Sequence, residues 1–119
     1  MGTQIMGAQR KAGHKDKPDR NERRENALRP SPYLGYDRDA LAMHLVERGA
    51  LEIAEQQLRR AVWLNPFEAH FKAHLALCLW HQGRQAEARA CLAEVPQAQS
   101  DDEIRSVLRI IMNTQRFRN

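Results

Sequence analysis

Long apolar runs are missing from this chain of 119 residues. None approaches the roughly 18 residues that a helix needs to cross a bilayer, so no membrane span is expected. The first residues are polar Gly, Gln and Arg where a secretory signal would carry an apolar segment, which argues against export by that route. Met6 stands where an N-myristoylation pattern wants Ser or Thr. Cysteine is scarce: Cys78 and Cys91 have no CxxC spacing and fall in apolar helical segments, so reduced, buried thiols are expected. Together these absences point to a cytoplasmic protein. A Gly-rich phosphate loop, an HExxH pair and a nucleophile beside a base are all missing too, so neither catalysis nor a cofactor is expected.

Aromatic residues make up only 6% of the chain, and none precedes Tyr33. Of 19 basic and 15 acidic residues, eight and four lie in residues 1–34, which leaves eleven of each for the rest. The surplus positive charge therefore sits in a leader with few large apolar residues and with Pro18, Pro30 and Pro32. Such a segment buries too little surface to offset ordering, so residues 1–32 are expected to be a disordered basic leader. A nascent helix over Asp19 to Leu28 would have no apolar face to pack. Basic tails contact nucleic acid or acidic partners, and the leader is the one feature that suggests a nucleic-acid-associated adaptor.

What is present is a repeat. A shift of 34 residues carries Leu41, Ala42, Leu45, Gly49, Ala54 and Leu58 onto Leu75, Ala76, Leu79, Gly83, Ala88 and Leu92. A fixed period of this length marks stacked helix pairs. Within the first unit, Asp37 is expected to cap a helix that Gly49 ends. A second helix is expected from about Leu51 to Leu64, stopped by Asn65-Pro66. The second unit predicts helices over about Glu68–Gln82 and Gln85–Glu94, with Pro96 closing the latter early. Ser100 and Glu103 then read as a capping box for a fifth helix with Ile104, Val107, Leu108, Ile111 and Met112 on one stripe.

These residues resemble the tetratricopeptide repeat family. Its pattern is met here as Arg38-x2-Leu41-Ala42-x2-Leu45, Ala54-x3-Leu58 and Pro66, then Lys72-x2-Leu75-Ala76-x2-Leu79 and Ala88-x3-Leu92. Leu replaces the family aromatics, and Arg or Lys the tryptophan. The resemblance implies an all-α fold, a short right-handed solenoid of about five helices within residues 33–119. It would hold repeats over about 35–68 and 69–102 and a capping helix over about 101–116. It also implies a protein-interaction module that binds a partner peptide or helix in a concave groove. The groove residues it designates are Tyr36, Asp39, Met43, Val46, Glu47, His70, Ala73, His74, Leu77, Trp80 and His81. Trp80 suits groove and core equally. The lysine and asparagine clamp by which some members hold a C-terminal carboxylate is absent, since Asp39 and Met43 occupy that face.

Two repeats are few for such a stack, and the first helix has an open flank. Pairing with a second copy is therefore a further reading, a homodimer or structural oligomer. His70 and His74 stand one helical turn apart, a spacing that can share an ion. His81 lies ~10 Å from His74 along the axis, too far for a third ligand. No carboxylate is near in sequence to complete a site, so no metal is expected. A groove histidine that tunes partner binding near neutral pH is the better reading.

Overall fold

The computed structural model describes residues 17–118, and within that span the chain is all-α. Six α-helices are described: α1 Arg20–Leu28, α2 Tyr36–Glu47, α3 Leu51–Leu64, α4 Ala69–His81, α5 Gln85–Ala93 and α6 Asp102–Arg118, with one 3-10 turn at Gln97–Gln99. No helix among the described residues is long and apolar enough to cross a membrane.

The 34-residue period reappears as two helical hairpins, α2–α3 and α4–α5, joined by the same turn. Gly49 and Gly83 adopt φ of 81° and 80°, a left-handed conformation that other residues enter only at a cost. In the first turn Gly49 N donates to Val46 O at 3.0 Å and Ala50 N to Leu45 O at 2.9 Å. In the second, Gly83 N donates to Trp80 O at 2.9 Å and Arg84 N to Leu79 O at 3.0 Å. This paired bonding satisfies the last carbonyls of each helix and reverses the chain within three residues. Ala42, Ala54, Ala76 and Ala88 are all fully buried, which lets the helices of each hairpin approach closely.

The hairpins stack through α3 and α4, and α6 closes the far side against α4 and α5. Leu58, Leu75, Cys78, Leu79, Leu92, Ile104, Val107 and Ile111 fill the core between them. Cys78 and Cys91 are free thiols, Cys78 buried and Cys91 half-buried. Their Sγ atoms donate to Leu51 O at 3.3 Å and Lys72 O at 3.2 Å. Burial pushes the Cys91 thiol up to about 11, which keeps it protonated and unreactive.

Several expectations are corrected. The leader is not without structure: α1 forms from Arg20, capped by Asp19, whose Oδ1 accepts from Glu22 N at 2.8 Å. It does so without an apolar face, through ionic contacts considered below. Residues 1–16 lie outside the described span. Gly35, not Asp37, precedes α2 and leaves its first amides without a side-chain cap. Asp101, not Ser100, caps α6, its Oδ1 accepting from Ile104 N at 3.0 Å. On α6, Leu108 and Met112 are exposed although they share the stripe with buried Ile104, Val107 and Ile111, because no further helix among the described residues covers that edge. Leu41 differs from its repeat counterpart for the same reason. Leu75 is 5% exposed beneath α3, whereas Leu41, with no preceding hairpin, is 46% exposed.

One polar residue holds the junction between hairpins. Asn65 is fully buried; its Nδ2 donates to Leu34 O at 3.1 Å and its Oδ1 accepts from Phe67 N at 3.2 Å. It thus ties the segment before α2 to the turn before α4.

Candidate functional site

α2, α4 and α6 run in the same direction, and their N-terminal ends are laced together by a cluster of acids and histidines. His74, on α4, is 8% exposed and lies between two carboxylates: Nδ1 is 2.7 Å from Asp39 Oδ1 on α2, and Nε2 is 3.2 Å from Glu103 Oε2 on α6. One turn earlier, His70 Nδ1 is 2.7 Å from Glu68 Oε2 and Nε2 is 2.6 Å from Asp101 Oδ2. Glu103 Oε1 lies 3.6 Å from His70 Nε2, so one glutamate reaches both rings. Tyr36 completes the set, its hydroxyl donating to Glu68 Oε1 at 2.8 Å.

The arrangement has an electrostatic logic. All four carboxylates stand at or near helix N-termini, where free amides and the helix dipole favour negative charge. Glu68 accepts from His70 N at 3.1 Å as the cap of α4, and Asp101 caps α6. Four acids close together would repel one another, and a proton on each imidazole relieves that repulsion. The hydrogen bond to Glu68, opposed by burial and helped by Asp101, raises the His70 pKa above its ordinary 6.5. Burial disfavours the charged form of His74, but Asp39 and Glu103 outweigh it and its pKa also rises. Burial opposes ionisation of Glu68, yet the bonds from His70 and Tyr36 hold it below its ordinary 4.5. Asp101 is lowered chiefly by the Ile104 amide and then by His70.

These directions define a pH window. Raised histidine pKa values stabilise the fold fully below 6.5, and that contribution is lost as pH climbs through the folded-state values. Lowered carboxylate pKa values act in the opposite sense, with the Glu68 contribution complete above 4.5 and lost as pH falls through its folded value. The cluster therefore stabilises most between about pH 4.5 and 6.5. Urea unfolding midpoints of the native chain should fall between pH 6 and pH 9 by more than those of a His70→Gln/His74→Gln double variant. Parallel pH profiles for the two proteins would refute this role.

The residues designated as a groove separate into three groups. Tyr36, Asp39, His70 and His74 are committed to the cluster, which corrects the expectation that no carboxylate is near in sequence. Glu68, two residues from His70, bonds it, and packing adds Asp39, Asp101 and Glu103 from distant positions. Ala73 is fully buried and has no surface to give a partner. Met43, Val46, Leu77 and Trp80 are half-buried, while Glu47 and His81 are exposed. Residues 34 apart stand at matching heights on the parallel helices α2 and α4, so Met43 faces the level of Leu77, Val46 that of Trp80, and Glu47 that of His81. Trp80 packs both ways: it rests against the core and its ring lies 4.9 Å from that of His81, edge to face. The face is thus ionic at its N-terminal end and apolar towards its C-terminal end. Among the described residues, no group of three or more His, Cys, Asp or Glu side chains is arranged to hold a metal ion.

Glu68, Asp101 and Glu103 are absent from the residues designated from sequence as a site; Glu68 stands there as the expected start of a helix and Glu103 as part of a capping box. Asp101 and Glu103 lie about thirty positions from the histidines, and only the packing of α6 on α4 brings them near. Comparison with protein-family models, with curated protein sequences and with solved structures returns no match.

Proposed function

We propose that this chain is a non-catalytic protein-interaction module that binds a peptide or helix of a partner along the shared face of α2 and α4. The observation that carries the reading is the half-buried apolar strip Met43, Val46, Leu77 and Trp80, which continues beyond the ionic cluster on two parallel helices. A partner would bury apolar side chains on this strip, with Glu47 and His81 at its edge fixing orientation. Trp80 is the anchor to expect, since tryptophans over-contribute to binding energy. Tyr36, by contrast, already spends its hydroxyl on Glu68 and its ring edge on Phe71, 5.1 Å between centroids. A cytoplasmic setting belongs to the same reading, because free thiols suit a reducing compartment.

Met43→Glu and Leu77→Glu should each abolish capture of a partner from the native host while leaving helical circular dichroism unchanged, since a buried charge without a counter-ion costs several kcal/mol, about 3 or more. Retention of the same partner by both variants would sink the groove reading. Self-association through the open flank is the second reading, and exposed Leu41 and Ile53, at 46% and 55%, favour it. In the described part of the leader, Arg29 is stacked on Trp63 and Arg23 donates to Pro18 O at 2.9 Å, so these two arginines are already engaged within the chain.

A further inference from the structure

Helix α1 has no buried apolar residue. Its buried residue is Glu25, at 8% exposure, while Leu28 is 55% exposed. Glu25 sits in a pocket made by the first hairpin. Arg38 of α2 grips it with both arms of its guanidinium, Nε to Oε2 at 2.8 Å and Nη2 to Oε1 at 2.7 Å. Arg60 of α3 adds Nη2 to Oε1 at 3.2 Å. Gln57 Oε1 accepts from Arg38 Nη1 at 2.9 Å and fixes the fork in place. Asn26, the next residue of α1, accepts from Arg60 Nη2 at 2.7 Å. Two forked arginines are the side chains best matched to a planar carboxylate, and they stay charged at any physiological pH. Emptied, the pocket would leave two guanidinium groups without their shared carboxylate.

The occupant fits the pocket better than the helix that carries it. Arg20, Arg23 and Arg24 share the nine residues of α1 with Glu22 and Glu25, so the helix brings a surplus of positive charge to a positive site. The buried Nε of Arg60 also has no acceptor. A helix with acidic residues in place of those arginines complements the site better than α1 does. We propose that Arg38, Gln57 and Arg60 form a carboxylate-recognition site, filled in cis by Glu25, from which an acidic helical segment of a partner protein displaces α1. The site lies on α2 and α3 and is independent of the strip on α2 and α4.

The test uses the full chain. A fluorescent peptide spanning residues 17–32 and carrying Arg20→Glu and Arg24→Glu serves as the probe, read by anisotropy. Glu25→Gln in the full chain weakens the cis contact, so this variant should bind the probe at least about tenfold more tightly than the native chain, whose site is free only a fraction of the time. Adding Arg38→Gln should abolish that binding, with helicity checked by circular dichroism. Trypsin should cut after Arg20, Arg23 and Arg24 several-fold faster in Glu25→Gln than in the native chain. Equal binding by the native and Glu25→Gln chains, no binding by either, binding that survives Arg38→Gln, or unchanged trypsin cleavage would each overturn the proposal.

Discussion

Phe71→Ala should cost the fold about 3–5 kcal/mol, the usual penalty for removing a large aromatic side chain from a packed interior. Phe71 is 1% exposed and is the largest of the fully buried side chains. It lies at the start of α4, outside the main core cluster, where the ring meets Tyr36 edge to face at a centroid distance of 5.1 Å. A domain of this size holds roughly 5–15 kcal/mol in all, so the variant should unfold at a much lower urea concentration with a similar slope. Phe71→Leu fills most of the volume and should cost markedly less. If Phe71→Ala unfolded within about 1 kcal/mol of the native chain, the junction would be able to collapse around the gap, contrary to its close packing. The variant also bears on the ionic cluster. Tyr36 rests on Phe71, and its bond to Glu68 should loosen with the loss of the ring.

The parts of this protein that were legible in the sequence are those with a local or periodic cause. Gly49 and Gly83 each stop a helix and reverse the chain through their own backbone freedom, and the 34-residue spacing carries one hairpin onto the other. The alanines between them show by size alone where helices approach closely. What stayed hidden depends on polar contacts between distant segments. An apolar stripe is the signal by which a docked helix is usually read, and α1 has none. Its anchors are Arg38 and Arg60, 13 and 35 positions from Glu25. Arg38 binds Glu25 through a forked ionic contact that no apolar spacing announces. Similarly, Ser100 and Glu103 have the spacing of a capping box, although it is the carboxylate of Asp101 that caps α6 and holds His70. Hydrophobic patterning is blind to both arrangements, because each is specified by complementary charge rather than by burial of carbon.

Gly35→Ala should be the second most damaging single change, costing roughly 2–5 kcal/mol for two separable reasons. Gly35 sits at φ 94°, where an L-residue is strained by about 1–2 kcal/mol. A Cβ built there would also stand 2.7 Å from Phe71 Cε2 and 3.2 Å from Ala61 O. The ring cannot swing aside cheaply, since Phe71 is buried and braced by Tyr36, and such overpacking typically costs about 1–3 kcal/mol. A double-mutant cycle separates the two terms. In a Phe71→Ala background the ring contact is gone, so Gly35→Ala should cost only its backbone share and the Ala61 O contact, and the two substitutions together should destabilise by about 1–3 kcal/mol less than their sum. Urea unfolding of the four proteins measures this directly. Strict additivity would refute the ring's share in the cost of Gly35→Ala. A large positive coupling would establish that the start of α2, which positions Tyr36 and Asp39 in the ionic cluster, is set by contact between one glycine and one phenylalanine ring.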